Sequence, residues 1–177
     1  RTRFLREGIG EIIARRKTSD FIVGSRISVY EGVRGCCGTS APDELVEDLT
    51  ESLQLVRLMD SLQMDYVNVS AGIPAKTPIL TRPVQNSELM YLHHLRYTKE
   101  VKNALKNSSM KVIGSAYSIL RERAFSVADE MLEKHYTDFI GWGRQTLADP
   151  LTPQKLLNGE RINFCLACSG CSKMMLK

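Results

Sequence analysis

The sequence predicts an α/β fold in which parallel β-strands alternate with helices. Short apolar segments recur along the chain, and each is followed by a longer segment with apolar residues at helical spacing. Alternation of this kind indicates right-handed βαβ units and therefore a parallel sheet. With 177 residues, 43% of them hydrophobic and 25% charged, the chain has an ordinary globular composition and is long enough for one core.

The first half of the sequence predicts a leading helix and two strands with a helix between them. Residues 2–16 place apolar side chains on one helical face. Residues 21–28 are predicted to form a strand, because their apolar run is nearly continuous at its start, as in a parallel strand covered on both faces. A Ser-x-x-Asp sequence at residues 40–43, with proline in the first turn, predicts the start of the next helix. Residues 64–70 are the second predicted strand.

The second half of the sequence continues the same alternation. Helices are predicted over residues 87–107 and 121–134, and strands over residues 110–116 and 139–141. A short helix near residues 153–158 is predicted to end at the glycine that follows it. The order is thus one helix, followed by four strand–helix units.

A long polar loop containing prolines is predicted over residues 73–88. Connections of this length are uncommon in compact domains and are often functional. Parallel strands end at the same edge of a sheet, and Arg26 lies near the end of the first strand. We therefore expect this loop and Arg26 to lie on the same face of the protein.

The segment 138–150 reads as a short buried strand, a Gly-x-Gly-Arg turn and a helical segment stopped by proline. Glycines let backbone amides approach a ligand closely, and the guanidinium of Arg144 matches a phosphate group. A nest of amides beside an arginine at the end of a strand is typical of a phosphate site. The alternative is a tight strand-to-helix turn with a surface arginine.

Two architectures use this alternation, a doubly wound open sheet and a (β/α)8 TIM barrel. No Gly-x-Gly-x-x-Gly sequence follows the first strand, so the dinucleotide-binding motif is absent. The phosphate-like turn instead follows the last strand, and barrels place a phosphate site in the loops after strands seven and eight. The sequence therefore favours the last four units of a barrel. A whole barrel has eight such units and about 250 residues, so half of its units would lie outside this chain.

Composition and charge exclude several classes of partner. The net charge is +4, and positive and negative residues are mixed along the chain, which gives no indication of nucleic-acid binding. No apolar run is long enough to predict a membrane span. The first residues lack the apolar core of a signal peptide, and the five cysteines are odd in number and clustered. These features predict a reducing, cytoplasmic compartment.

Five segments carry a family resemblance: residues 3–5 (Arg-Phe-Leu), 23–28 (Val-Gly-Ser-Arg-Ile-Ser), 65–70 (Asp-Tyr-Val-Asn-Val-Ser), 143–150 (Gly-Arg-Gln-Thr-Leu-Ala-Asp-Pro) and the terminal cysteines. Taken together, they resemble the second half of the NADH:flavin oxidoreductase, or old yellow enzyme, family. The sequence is most similar to the iron–sulfur branch that contains 2,4-dienoyl-CoA reductase and trimethylamine dehydrogenase. No single matching segment is specific, but the segments follow the family's order and cover nearly the whole chain.

The resemblance implies an FMN cofactor at the C-terminal mouth of the barrel. Arg26 stands at the family's strand-five arginine, which meets the N1/O2 edge of the flavin; the alternative is a salt-bridged arginine at the barrel mouth. Gly143 and Arg144 match the strand-eight half of the phosphate site. The strand-seven half usually has two glycines, but here Ala116 and Tyr117 stand there, flanked by Ser115 and Ser118. Ser115, Ala116 and Tyr117 are nevertheless the residues whose backbone would bind the phosphate.

The terminal cysteines match three ligands of the family's [4Fe–4S] cluster. Cys165, Cys168 and Cys171 have the close spacing of ferredoxin-type ligands, whereas a structural zinc site more often uses two separated Cys-x-x-Cys pairs. We therefore predict a flavin-binding half-barrel over residues 1–160 and the start of an iron–sulfur segment over residues 161–177. The vicinal pair at residues 36–37 matches no ligand of the family.

The resemblance implies a parent protein that uses NAD(P)H and FMN to reduce the activated C=C bond of an enoate, an enone or a dienoyl-CoA-type thioester. The family's catalytic acid and carbonyl-binding residues belong to the earlier half, upstream of Arg1. We therefore expect the isolated chain to be inactive, and to self-associate or pair with the missing half of the barrel through its open strand edges. The alternative is a non-catalytic phosphate-ligand-binding or scaffold half-barrel, which the Ala116–Tyr117 departure favours.

Overall fold

The computed structural model describes residues 2–87 and 89–174. It contains a four-stranded parallel sheet in which sequence neighbours are also spatial neighbours, in the order β1-β2-β3-β4. This confirms the predicted α/β fold with alternating strands and helices. The strands are β1 (Gly24–Ser28), β2 (Tyr66–Ser70), β3 (Lys111–Gly114) and β4 (Phe139–Ile140).

Helices precede, connect and follow the strands. Two turns of 3₁₀-helix, Gln85–Ser87 and Tyr117–Leu120, lie in the connections after β2 and β3. No helix in the part of the chain described is long and apolar enough to cross a membrane. The helices are α1 (Arg3–Ala14), α2 (Thr50–Ser61), α3 (Pro78–Thr81), α4 (Met90–Ala104), α5 (Arg123–Glu133), α6 (Arg144–Ala148), α7 (Thr152–Asn158) and α8 (Gly170–Met174).

The two faces of the sheet have different surroundings because side chains alternate along a strand. Val67, Val69 and Val112 are fully or almost fully buried, and they belong to the same apolar core as Tyr97 and Val101 of α4. Burying each of these valines stabilises the fold by about 1.5–3 kcal/mol. The helices therefore cover this face, and the side chains of alternate residues are left for the opposite face.

That opposite face carries polar and exposed side chains. Arg26 is in register with Asn68, which is in register with Ile113, and Ile113 is in register with Phe139. Arg26 and Phe139 are both exposed. The sequence prediction that the first strand is covered on both faces is therefore wrong for the part of the chain described.

The predicted first strand also began too early. Phe21 and Ile22 are exposed, and β1 begins only at Gly24. The apolar run in the sequence therefore starts outside the sheet. An apolar run does not by itself show where a strand begins, because the strand begins where backbone pairing begins. Here β1 pairs with β2 only from Gly24 onwards.

The predicted helix start at residues 40–43 is also wrong. The backbone N–H of Ser40 instead donates to the carbonyl of Val46, next to an antiparallel bridge between Thr39 and Glu47. Helix α2 begins at Thr50, whose backbone N–H donates to the carboxylate of Asp48 at 2.8 Å. The segment that resembled a helix start is therefore part of a loop, in which Ser40 pairs with Val46 instead of capping a helix.

Aspartates tie the starts of neighbouring strands together. The carboxylate of Asp65, just before β2, accepts a hydrogen bond from the backbone N–H of Val23 at 2.6 Å. Asp138, just before β4, accepts in the same way from Val112 at 2.8 Å and also pairs with Lys102 at 2.6 Å. Each carboxylate thus stabilises the pairing of its strand with the strand before it.

Replacing Asp138 by Asn is expected to lower the free energy of unfolding at pH 7 by about 1–2 kcal/mol, because a charged, partly buried acceptor is lost. Burial works to raise the pKa of Asp138, but the hydrogen bonds from Lys102 and Val112 keep it below its ordinary value. The contribution is therefore present above about pH 4 and is lost as the pH falls through the folded-state pKa. Urea unfolding at several pH values measures this difference.

The matched control for this variant is Asp129→Asn in α5, where the side chain is exposed. It should change the free energy of unfolding by less than about 0.5 kcal/mol. A D138N effect that is equally large at pH 7 and pH 3 would contradict the electrostatic explanation.

Candidate functional site

A cavity of about 770 Å³ lies at the carboxyl ends of the four strands. Every strand contributes to its wall: Arg26 comes from β1, Ser70 from β2, Ser115 from the end of β3 and Gly143 from the turn after β4. Parallel sheets commonly bind ligands at this edge, because the loops that follow their strands converge there. The cavity is therefore the candidate ligand site.

Three arginines line the cavity, and its lining as described contains no aspartate or glutamate. Arg26 donates from Nη2 to the hydroxyl of Ser70 at 2.9 Å, and Arg144 donates from Nη1 to the carbonyl of Pro83 at 2.7 Å. Arg82 donates from Nη1 to the hydroxyl of Ser172 at 2.5 Å. These partners are neutral, so the cationic charge of the cavity is not balanced within its wall, and the site favours an anion.

Burial lowers the pKa of Arg144, and the nearby Arg82 lowers it further, while neighbouring cysteine thiols act in the opposite direction. An arginine with a lowered pKa is still fully charged at neutral pH. The protein therefore holds a partly desolvated cation beside a second cation. An anion bound between them would offset both the desolvation of Arg144 and the repulsion between the two cations.

The residues after β3 form the wall next to the phosphate-like turn. The hydroxyl of Ser115 donates to the carbonyl of Val69 at 2.7 Å, which ties the wall to β2. Ala116 adopts a left-handed conformation with φ of +76°, which glycine adopts more easily. The backbone at this position therefore has the shape that glycine would give, although the side chain is alanine.

The side chain of Tyr117 packs away from the cavity. It is fully buried, its ring lies 6.0 Å from that of Trp142, and it does not line the cavity, whereas Ser115 and Ala116 do. Burial raises the pKa of its hydroxyl. The replacement of the second glycine by Tyr117 therefore leaves the cavity open.

Gly143 and Gly141 have opposite surroundings. A methyl group added at Gly143 would meet no protein atom within 4 Å, so the space beside this cavity-lining residue is open. One added at Gly141 would come within 2.9 Å of the carbonyl oxygen of Gly114. Gly141 is therefore required by the packing of β4 against β3, whereas the protein itself gives no steric reason for Gly143.

A buried acceptor in the cavity wall also lacks a partner. The Oδ1 atom of Asn68 is buried and has no hydrogen-bond donor among the residues described. An unpartnered buried polar atom costs about 1–3 kcal/mol, which a ligand N–H or O–H group would remove. Together with the arginines and the open space at Gly143, this fits the phosphate and ring N–H groups of the flavin mononucleotide that the sequence resemblance implies.

The three terminal cysteines lie near the cavity but do not form one ligand set. Cys165 is buried, Cys168 is exposed and Cys171 lines the cavity. Within residues 2–87 and 89–174, no group of three or more His, Cys, Asp or Glu side chains is arranged to hold a metal ion. The described arrangement therefore does not fit the cluster that the Cys spacing predicts.

The vicinal thiols, Cys36 and Cys37, lie apart from this cavity. The sulfur of Cys37 lies 3.2 Å from the hydroxyl of Ser52, and its backbone N–H donates to the carboxylate of Glu31 at 3.0 Å. The two cysteines are not joined by a disulfide bond. The contact of Cys37 with Ser52 joins the loop after β1 to α2.

Two residues near the site were missed in the sequence. Arg82 lies in the long loop after β2, which was predicted to share the face of Arg26 and does so. An arginine beside a proline in that loop was the available signal. Gln145 is almost fully buried and binds the segment before the terminal cysteines, donating to the carbonyl of Asn163 and accepting from the N–H of Cys165, both at 3.0 Å. No motif indicated this role.

No protein-family model matches the chain. An NADH oxidase from Thermoanaerobacter brockii is 28% identical over 167 residues, which is 91% of this chain and 23% of the oxidase. A bilirubin reductase from Mediterraneibacter gnavus (strain CC55_001C) is 27% identical over 127 residues, 70% of this chain and 19% of the reductase. The chain thus spans about a fifth to a quarter of the length of these curated relatives.

Among solved structures, the 6-hydroxypseudooxynicotine amine oxidase HisD from Pseudomonas geniculata N1 matches with a TM-score of 0.71 and 19% identity, over 98% of this chain and 23% of that one. At this identity the match concerns the fold alone. The two sequence relatives are both named for oxidoreductase activities. They support the relationship to a flavin oxidoreductase family that the sequence motifs predicted.

Proposed function

We propose that this chain forms the cofactor-binding side of an FMN-dependent oxidoreductase. The observation that carries the proposal is one cavity at the strand ends that combines Arg26 with Gly143 and Arg144 and has no acidic residue in its described wall. FMN held there would supply hydride-transfer chemistry between NAD(P)H and an activated C=C bond. The strands and loops described above would bind and orient this cofactor.

The two arginines would have different tasks. Arg144 and the backbone beside Gly143, Ser115 and Ala116 would bind the phosphate, because they surround open space next to a charged guanidinium. Arg26 of β1, which donates to the hydroxyl of Ser70 at the end of β2, would lie at the electron-rich edge of the ring system, where a fixed cation stabilises added negative charge.

The finer assignment follows the family resemblance. In it, the four strand–helix units are the last four of a TIM barrel, and the substrate-binding and proton-donating residues lie on the units that precede them. The substrate would be a small enoate, an enone or a thioester. Hydride transfer needs the cofactor, the substrate and the acid to be positioned together, so this chain by itself should show no catalytic turnover. It should instead pair through its open strand edges, with the missing half or with another copy.

The cysteine spacing supports an iron–sulfur segment in the parent protein. Among the described residues, Cys165, Cys168 and Cys171 are not arranged as one ligand set, so we assign no step to a cluster. All three thiols lie near Arg144, so a change in their charge would change the electrostatic potential in the cavity.

The second candidate function is a non-catalytic half-barrel that binds a phosphorylated ligand. The observation that favours it is the departure of the sequence from the family's glycine pair at Ala116 and Tyr117, which leaves the anion site open but does not itself indicate redox chemistry. Both candidates predict an anion site, but only the first predicts redox chemistry. Stopped-flow reduction under anaerobic conditions separates them.

In that experiment, the protein expressed from its complete reading frame is loaded with FMN and mixed with NADH or NADPH. Bleaching of the flavin absorbance, followed by its return when cyclohexenone or a crotonyl thioester is added, is the expected result. A flavin that binds but is reduced by neither nucleotide would overturn the oxidoreductase proposal and leave the phosphate-ligand alternative.

Replacing Gly143 by Ala is expected to weaken FMN binding by about tenfold while leaving the free energy of unfolding within about 0.5 kcal/mol of wild type. The reason is that the added methyl group meets no protein atom and enters the space proposed for the phosphate. Flavin fluorescence quenching and urea unfolding measure the two quantities. The control is Gly141→Ala, which should destabilise the fold because the methyl group would meet the Gly114 carbonyl.

A further inference from the structure

We propose that Arg82 is a second phosphate-binding residue, which joins Arg144 in binding one doubly charged phosphate group in the cavity. The inference rests on the proposed function only in that the site takes a phosphorylated ligand. It assigns a role to an arginine that lies outside every motif in the sequence analysis.

The first support is the position of Arg82 in the cavity wall. Arg82 and Arg144 both line the cavity and lie close enough to affect each other electrostatically. Arg144 also contacts the loop that carries Arg82, since it donates to the carbonyl of Pro83, the residue next to Arg82. The two guanidinium groups therefore converge on one region. The guanidinium of Arg26 is held elsewhere in the wall, because it donates from β1 to Ser70 at the end of β2.

The second support is charge. No carboxylate among the described residues pairs with Arg82 or Arg144, although other partly buried cations do have such partners, Lys102 with Asp138 and Lys155 with Asp149. A phosphate monoester carries a charge of about −1.5 to −2 at pH 7. Two guanidinium groups balance the charge of the phosphate, whereas a single guanidinium would leave part of the negative charge unpaired.

The third support is that Arg82 is placed by a fixed backbone. It directly follows α3, and its N–H donates to the carbonyl of Pro78 at 2.8 Å. The ring of the buried His94 binds the carbonyl of Leu80 at 2.7 Å. The hydroxyl of Thr77 donates to the carbonyl of Glu31 at 2.8 Å. The start of this side chain is thus preorganised, so little ordering is required when an anion binds.

The end of the side chain has a neutral partner that an anion could replace. Arg82 Nη1 donates to the hydroxyl of Ser172 in α8. A guanidinium has five N–H donors, so a phosphate can share Arg82 with Ser172 or displace it. Charge-assisted hydrogen bonds to phosphate are about twice as strong as neutral ones, which favours the phosphate.

The test compares ligands with and without phosphate on the protein from its complete reading frame. For Arg82→Gln we expect FMN affinity to fall by about 10- to 100-fold, from the loss of a charge-assisted hydrogen bond, with riboflavin affinity changed less than about threefold. Inorganic phosphate, followed by calorimetry, should lose affinity in the same variant. A fall of the same size for FMN and riboflavin, or no fall for either, would overturn the role of Arg82.

Two controls exclude indirect effects. Ser172→Ala removes the hydrogen-bond partner of Arg82 but keeps the cation, so phosphate affinity should stay within about threefold of wild type or rise. Arg57→Gln removes an exposed arginine of α2 and should change nothing. A loss of phosphate affinity in S172A as large as that in R82Q would mean that Arg82 only positions the terminal segment, and would overturn the proposal.

The outcome also separates this inference from the proposed function. Inorganic phosphate that binds through Arg82, with no binding of FMN, would refute the flavin proposal and support the phosphate role. FMN that binds equally well to wild type and R82Q would support the flavin proposal and refute the role of Arg82.

Discussion

Replacing Arg144 by Gln is expected to reduce FMN affinity by about 100-fold, because the phosphate loses a charge-assisted partner worth about 2–3 kcal/mol. The same variant should not lose stability without ligand. Arg144 is a half-buried cation whose one described hydrogen bond goes to a neutral carbonyl, that of Pro83, and burial lowers its pKa. Removing an unbalanced charge from this position relieves desolvation and repulsion from Arg82.

Fluorescence quenching of FMN and urea unfolding of the ligand-free protein measure these two effects. Arg144→Lys keeps the charge but not the planar fork, so its FMN affinity should lie between those of wild type and R144Q. A variant that loses stability and flavin affinity together would show that Arg144 serves the fold, as in the alternative of a surface turn. The prediction would then be wrong.

Replacing Gln145 by Leu is expected to lower the free energy of unfolding by about 2–5 kcal/mol, since buried polar partners lose their hydrogen bonds. The Gln145 amide donates to Asn163 and to the hydroxyl of Thr152 and accepts from Cys165, and its side chain is almost fully buried. Leucine cannot satisfy any of these groups. The segment before the terminal cysteines should therefore separate from α6.

Hydrogen exchange of residues 163–165, together with thermal unfolding, measures this effect. The matched control is Gln154→Leu, an exposed position of α7, which should change stability by less than about 0.5 kcal/mol. Asp149 also holds the segment, because its carboxylate accepts from the N–H of Asn163 at 3.0 Å. If exchange at residue 165 is unchanged in Q145L, the buried amide does not hold the segment.

The position of the main site could be predicted because parallel strands place their ends together. Arg26, Ser115 and Gly143 are far apart in the sequence, but Arg26 lies in the second half of a predicted strand and the other two come just after β3 and β4. The order of strands and helices therefore brought them to one edge, and the structure places them around one cavity. The same logic correctly put the long loop after β2 on that face.

Other features could not be predicted because non-local hydrogen bonds decide them. The side chain of Arg82 is placed by a loop in which the carbonyl of Leu80 contacts His94 and the hydroxyl of Thr77 donates to the carbonyl of Glu31. The start of α2 was misplaced because the loop before it uses Ser40 in pairing with Val46. The buried role of Gln145 depends on a segment 18 to 20 residues further along the chain.

The most direct test of the central claim is a comparison of FMN and riboflavin binding by the wild-type protein from its complete reading frame. If the cavity binds a flavin through its phosphate, FMN fluorescence should be quenched at micromolar protein, and riboflavin should bind at least about tenfold more weakly. Equal affinity for the two flavins, or no binding of either, would contradict the account.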